Sequence, residues 1–118
     1  MSSLRYNCEV GKKTRAPVPI DFTVNVSHLT GERRGAILKE EVIHRGAEVM
    51  KYSLAYINPR ICGVDNGRVL GYDNSHGRHH RHSMGAVSVL KFPGYEALLH
   101  RFRKEVYELW RLEDEQED

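Results

Sequence analysis

The C-terminal part of the chain carries a helical stripe that constrains the fold more than any other stretch. In YEALLHRFRKEVYELWRL (Tyr95–Leu112), apolar residues recur at spacings of one, three or four positions, which is the pattern of one helical face. These residues are Leu98, Leu99, Phe102, Val106, Leu109 and Trp110. Such a face needs a flat apolar surface to pack on, and a sheet supplies one. The sequence therefore predicts a terminal helix that covers a sheet.

The segments before this helix have strand patterns. IDFTVNV alternates apolar and polar residues from Ile20 to Val26, which predicts a half-buried strand. Further strands are predicted at Ala36–His44, Val49–Ile57 and Ala86–Phe92. A helix over Arg33–His44 stays open as an alternative to the second strand, because the apolar residues there follow neither period cleanly.

A tight turn is predicted at Asp65-Asn66-Gly67, because an Asn-Gly pair accepts the positive φ angles of a hairpin turn. We expect two short antiparallel strands beside it, at about Ile61–Val64 and Arg68–Tyr72. Together, these elements predict an α+β fold, in which an antiparallel β-meander is packed by the C-terminal amphipathic helix.

A chain of 118 residues predicts one domain. We expect an α+β domain over residues 17–112, a flexible basic arm over residues 1–16 and an acidic disordered tail over residues 113–118. No apolar run is long enough to span a membrane and no secretory signal is visible, so cytoplasmic residence is expected. Cys8 and Cys62 lack C-x-x-C spacing, which argues against a cysteine zinc site or a disulfide scaffold.

Charge is distributed unevenly along the chain. The last six residues, EDEQED, contain five carboxylates, whereas residues 1–112 contain 18 Lys and Arg against 11 Asp and Glu. A basic body attracts anionic polymers such as RNA, or an acidic partner. The tail either shields that basic surface or serves only as a solubilising end.

Four of the seven histidines lie close together in GYDNSHGRHHRHSMG, from His76 to His82. If the end of this cluster is extended, His80 and His82 point to one side of the chain, while Arg81 and His79 point to the other. Asp73 ends the preceding predicted strand. Gly77 allows the intervening loop to turn back, so we expect Asp73 beside the histidine pair.

Several chemistries fit this pattern. In acid–base cleavage of RNA, one of His80 and His82 accepts the 2′-hydroxyl proton, the other protonates the leaving oxygen, and Asp73 orients a ring. Arg78 or Arg81 then binds the phosphate, and Arg78 is the better placed of the two. Alternatively, His80, His82 and Asp73 bind a divalent metal ion, although no cofactor is the simpler expectation. An exposed polar loop without chemistry is the remaining reading.

The stretch YSLAYINPRICGVDNGRVLGYDNSHGRHHRHSMG, with the helix after it, resembles the TumE-like family of small bacterial and archaeal toxins. The resemblance covers about Val49–Leu112. Its pattern is a strand tyrosine, then Y-D-N, a glycine and H-x-H: Tyr52, Tyr72, Asp73, Asn74, Gly77, His80 and His82. The resemblance implies a type II toxin with a helix-turn-helix antitoxin encoded nearby. Tyr72 and Asn74 are further candidate substrate-binding residues, but Tyr72 is expected to face away from Asp73 on a strand, which leaves a core role open for it.

The leading hypothesis is therefore a type II toxin that acts on RNA, as an endoribonuclease if the histidines are catalytic. One alternative is a non-enzymatic module that binds nucleic acid or a protein partner. Another alternative is a metal-dependent hydrolase that uses the histidine cluster. Exposed strand edges in so small a sheet leave a homodimer open as well.

Overall fold

Six strands and one long helix form the part of the chain that the computed structural model describes, residues 17–116. The strands are β1 (Ile20–His28), β2 (Ile37–Arg45), β3 (Glu48–Ile57), β4 (Arg68–Asp73), β5 (His80–Ser83) and β6 (Ala86–Val89). All pair antiparallel in chain order, and α1 (Tyr95–Glu115) follows them. The predicted α+β meander with its C-terminal helix is confirmed.

Helix α1 packs against β3 and β4, and the core lies between them. Leu98, Phe102 and Val106 are the buried residues of the helix, and they come from the predicted stripe. Their partners on the sheet are the fully buried Tyr52, Leu54, Tyr56, Leu70 and Tyr72. Burying one such large apolar side chain stabilises the fold by about 1.5–3 kcal/mol.

The sheet has a second face, directed away from α1, which we call the open face. Cross-strand partners share a face, so the pairing of the strands defines its members. They include Ile20, Phe22, Val24, Val26, Ile43, Ala55, Gly71, Asp73, His80, His82, Val87 and Val89. Within residues 17–116 no second α-helix covers this face, but the loop that carries Asp65 lies against its centre, where Ala55 and Asp73 are buried. Several apolar side chains farther out on the face are exposed, with Phe22 at 71% and Val89 at 66%.

The expected hairpin at Asn66-Gly67 is wrong, although both residues have the positive φ angles that were predicted, 55° and 81°. No strand forms over Ile61–Val64. The amides of Ile61 and Cys62 donate to the carbonyl of Asn58, so this segment uses its backbone groups in a turn. β4 pairs with β3 instead, across a longer loop.

Three strand predictions are corrected in detail. The helix alternative over Arg33–His44 is wrong, because β2 occupies this segment and pairs on both sides with other strands. β1 is a strand, but it is not half-buried: all nine of its residues are exposed, since α1 lies over β3 and β4 and does not cover it. β6 ends at Val89, before the predicted end at Phe92.

The helix continues past Leu112 to Glu115, so residues 113–115 are helical rather than part of a disordered tail. Glu113 anchors this end, because it accepts hydrogen bonds from Arg33 Nε at 3.1 Å and Tyr56 Oη at 2.9 Å. Residues 1–16, expected to be a flexible arm, and residues 117–118 lie outside the described residues. Between residues 17 and 116, no helix has the length and apolar character needed to cross a membrane.

Candidate functional site

The β4–β5 hairpin brings the histidine pair to Asp73. In the strand register Asp73 lies opposite His80, and Gly71 lies opposite His82. Because β5 is extended, His80 and His82 both point to the open face, as the alternation predicted. The loop between the strands turns through His76 and Gly77, whose φ angles are 62° and 77°. Local turn geometry therefore places the carboxylate between the two rings.

Asp73 contacts both rings. Its Oδ2 lies 2.9 Å from His82 Nε2, and its Oδ1 lies 3.8 Å from His80 Nδ1. The other ring nitrogen of His82, Nδ1, lies 3.3 Å from Asp65 Oδ2. These are ion-pair distances, but neither nitrogen of His82 makes a well-aligned hydrogen bond. The side chain of His82 is 12% exposed and that of His80 is 21% exposed, so His80 is the more accessible of the two.

Arg68 and Asp65 complete the cluster. The Arg68 guanidinium donates to both carboxylate oxygens of Asp65, at 2.8 and 3.0 Å, and to Asp73 Oδ2 at 3.4 Å. The hydrogen bonds from Arg68 lower the pKa of Asp65, against the opposing effect of burial, and the charge of His82 adds to the lowering. The same pairing with Asp65 raises the pKa of Arg68. We call His80, His82, Asp73, Asp65 and Arg68 the ionic cluster.

The path of the Arg68 side chain depends on Gly71. A Cβ atom at position 71 would lie 2.5 Å from Arg68 Cδ and 3.1 Å from the carbonyl oxygen of Leu54. Real Cβ atoms essentially never approach another heavy atom as closely as the first distance, and the second is unusually tight, so any larger residue would displace the arginine side chain. Gly71 therefore allows Arg68 to lie across β4 and reach Asp73.

Sequence reasoning missed Arg68 and Asp65 as members of the site. The sequence pattern places Asp65 only in a turn and Arg68 only at the start of a strand. One usable signal was their i,i+3 spacing across a turn, which favours an Asp–Arg pair. The glycine one position before Tyr72 was a second signal, because glycine in a strand marks a close approach of other atoms.

Tyr72 and Arg81 lie on the face opposite His80 and His82, as the alternation predicted. Both point toward α1, the side opposite the ionic cluster. Tyr72 is fully buried and its hydroxyl donates to Glu105. Arg81 Nε donates to the Tyr72 hydroxyl at 3.0 Å, and Arg81 Nη2 lies 3.2 Å from Glu105 Oε2. This trio fastens the helix to the sheet.

Asn74 and Arg78 differ from each other in surroundings. The Asn74 amide bonds to the backbone of β3, since its Oδ1 accepts from Tyr52 N at 3.0 Å and its Nδ2 donates to Met50 O at 3.2 Å. It therefore holds the β4–β5 loop in place. Arg78 is exposed and has extended φ and ψ angles of −128° and 149°. By alternation it lies on the same side of the chain as His80.

His79 belongs to an aromatic stack. Its ring lies parallel to that of Phe92, with centroids 4.1 Å apart, and its Nδ1 lies 2.8 Å from the Tyr52 hydroxyl. Burial, assisted by the negative charge of Asp73, raises the pKa of Tyr52 to about 12. The Tyr52 hydroxyl therefore stays protonated at neutral pH. The stack joins the start of β5 to β3.

Within residues 17–116, no group of three or more His, Cys, Asp or Glu side chains has the geometry to hold a metal ion. Asp73, the central carboxylate, already contacts the Arg68 guanidinium. A cation bound to Asp73 would therefore face a fixed positive charge.

The four cavities described within residues 17–116 have linings that include no member of the ionic cluster. One of about 300 Å³ lies beside the end of α1, lined by residues that include Arg33, Asn58 and Glu113. Ionisable groups line this cavity too, but Arg33 there pairs with Glu113 and Asp114 and so anchors α1, whereas the ionic cluster contains two histidines, the residue type most often used for proton transfer. The candidate site is thus a largely buried ionic cluster from which the ring of His80 reaches the surface most.

One comparison with known proteins identifies the family. The family model described as Toxin TumE matches residues 26–110, which is most of the chain and includes every member of the ionic cluster. No curated protein and no solved structure matches the chain. The chain belongs to the TumE toxin family.

Proposed function

We propose that this TumE-family toxin acts on RNA and cleaves it by acid–base chemistry at the ionic cluster. The observation that carries the proposal is the position of Asp73, whose carboxylate lies between His80 and His82 on the face of the sheet directed away from α1. The side chain of Asp73 is only 10% exposed, so the partly exposed ring of His80 is the group that a substrate would reach first. The excess of Lys and Arg over Asp and Glu in residues 1–112 favours an anionic polymer as that substrate. Membership in a toxin family also implies an antitoxin partner, and we propose a helix-turn-helix protein encoded nearby.

In the proposed reaction one histidine accepts a proton and the other donates one. His80, the more exposed ring, accepts the proton of the 2′-hydroxyl, and the 2′-oxygen forms a bond to phosphorus. The bond from phosphorus to the 5′-oxygen breaks, and His82 donates a proton to that oxygen. In the free protein both ring nitrogens of His82 face the carboxylates of Asp65 and Asp73, which stabilise an imidazolium. Donation therefore requires the ring to turn one N–H toward the 5′-oxygen when the substrate binds. The products are a 2′,3′-cyclic phosphate and a 5′-hydroxyl.

Arg78 is the proposed phosphate ligand. It is exposed and on the same side of the chain as His80, whereas Arg81 is engaged by Glu105 and Arg68 by Asp65. A guanidinium can donate two hydrogen bonds to a phosphate and neutralise the charge that develops in the transition state. Such chemistry needs no metal, and it would take place in the cytoplasm, where RNA is available.

The test is RNA cleavage by the purified chain in the presence of a chelator. We expect wild-type protein to produce 2′,3′-cyclic phosphate ends, and His80→Ala or His82→Ala to lower the rate about 10²-fold or more. The matched control is His100→Ala, which removes an exposed histidine on α1. Binding of RNA that weakens with salt but produces no cleavage would instead indicate a binding module.

Two further outcomes separate the remaining alternatives. Cleavage that stops in chelator and returns with a divalent ion would support the metal-dependent hydrolase. Growth inhibition on expression of the chain, relieved by its helix-turn-helix neighbour, would support the toxin–antitoxin assignment independently of mechanism. Unimpaired growth at high expression would argue against action as a toxin in the host tested.

A further inference from the structure

Strand β1 is an edge strand with an unusual surface. It pairs with β2 along one side and with no other strand of residues 17–116 along its second side. Its open-face residues form a row of exposed apolar side chains. The exposed fractions are 53% for Ile20, 71% for Phe22, 50% for Val24 and 46% for Val26. An unpaired edge beside an apolar row favours pairing with another strand.

The devices that usually protect a sheet edge are missing from β1. Its sequence, IDFTVNVSH, contains no lysine and no proline, and Asp21 is its one carboxylate. Its register with β2 is continuous over all nine residues, so no bulge twists the edge away from a partner. The bulge in this region lies between β2 and β3 instead, at Ile43 and His44.

We propose that β1 is the edge through which two copies of the chain pair, antiparallel and about a two-fold axis at Val24. The axis falls there because Val24 is the midpoint of Ile20–His28, so this register pairs all nine residues. Val24 then faces Val24 of the partner subunit, and Phe22 faces Val26 of the partner subunit. All of them lie on the open face, so the two apolar rows meet over Phe22, Val24 and Val26, and at each end Ile20 faces His28 of the partner subunit.

The same register also brings acceptable side-chain pairs together on the other face of the strand. Asp21 meets Ser27 of the partner subunit, and Thr23 meets Asn25 of the partner subunit, so no two like charges are opposed. Self-complementarity of this kind is what a two-fold interface requires, because each strand must be its own partner. An antitoxin strand would have no reason to match this symmetry, so the second copy is the favoured occupant.

Pairing about this axis joins two six-stranded sheets into one sheet of twelve strands. The axis is perpendicular to the sheet, so both open faces and both ionic clusters lie on the same side. The proposal stands independently of the RNA-cleavage mechanism. Residues 20–25 also lie before the first residue that the family model matches.

The test begins with the oligomeric state of the full chain, measured by light scattering and sedimentation equilibrium. We expect a dimer, and Val24→Lys should raise its Kd about tenfold or more, because two lysines would meet across the axis. The matched control is Val89→Lys, at an exposed open-face valine on β6, the opposite edge of the sheet. It should leave the Kd unchanged, and circular dichroism should show that both variants fold.

A mixing experiment tests the register itself. Val24→Lys mixed with Val24→Glu should restore the dimer as a mixed species, because residue 24 of one copy faces residue 24 of the other. A monomeric wild type, an equal effect of Val89→Lys, or a mixture that stays monomeric would each overturn the proposal. A monomer whose antitoxin binding is lost in Val24→Lys would assign the edge to the antitoxin instead.

Discussion

Replacing Asp65 by asparagine tests whether the ionic cluster holds together as a unit. The substitution keeps the size of the side chain but removes its charge. Asp65 accepts two hydrogen bonds from Arg68, at 2.8 and 3.0 Å, and its side chain is 20% exposed. A hydrogen bond to a charged group contributes about 1.5–3 kcal/mol. Because asparagine still accepts one of the two bonds and water reaches the site, we expect Asp65→Asn to lower the free energy of unfolding by about 1–2 kcal/mol.

The loss of stability in Asp65→Asn should depend on pH. The pKa of folded Asp65 lies below its ordinary value of 3.8, so its charge stabilises the fold above that pH. As the pH falls through the folded pKa, the carboxyl becomes protonated and the contribution disappears. Urea unfolding of wild type and variant should therefore differ at pH 7 and converge in acid.

Two results would contradict this reasoning. A difference between wild type and Asp65→Asn that stays constant from neutral to acidic pH would show that the charge is not responsible. The matched control is Asp21→Asn, which changes an exposed aspartate on β1 in the same chemical way. An equal loss of stability in that control would show that the Arg68 contacts contribute nothing specific.

Three further substitutions test other parts of the structure. Gly71→Val should destabilise the protein by about 1–3 kcal/mol in urea unfolding, because the new side chain displaces Arg68; unchanged stability would contradict the close approach. Tyr72→Phe should lower the free energy of unfolding by about 1 kcal/mol and leave RNA cleavage intact, since the lost hydroxyl donates to Glu105, on the side of the sheet opposite the ionic cluster. Loss of cleavage at unchanged stability would instead indicate that Tyr72 binds the substrate. Tyr52→Ala should lower the free energy of unfolding by about 3–5 kcal/mol, judged from large-to-small substitutions of buried aromatic residues, and a variant as stable as wild type would exclude the packed role of its ring.

The elements predicted correctly were those whose signal is local. The helical stripe of α1 and the alternation of β1 and β3 are set by residues that lie close together in the chain, so the spacing of apolar residues predicts these elements. The extended H-x-H of His80 and His82 is local in the same sense, and it placed both rings on one face. Where helix and strand patterns were mixed, over Arg33–His44, pairing with β1 and β3 decided for the strand.

The wrong predictions concern features that depend on contacts between residues far apart in the chain. Asn66 and Gly67 have the φ angles that a hairpin needs, yet a longer loop uses the same angles once Asn58 accepts the amides of Ile61 and Cys62. The exposure of β1 depends on the position of α1, which periodicity within β1 cannot reveal. Arg68 joined the site only because the register and Gly71 let its side chain cross the strand.

The ionic cluster differs from a purely structural network in one respect. The trio of Tyr72, Arg81 and Glu105 is closed, because each polar group is bonded to another member of the trio. The ring of His82 differs, because its two nitrogens lie near the carboxylates of Asp65 and Asp73 but neither makes a well-aligned hydrogen bond. A buried polar group without a partner is destabilising. The indole nitrogen of Trp110 on α1 is unpaired as well, so an unpaired nitrogen does not by itself mark a site. The two carboxylates beside the ring of His82 are what favour chemistry at the ionic cluster rather than at the trio beneath α1.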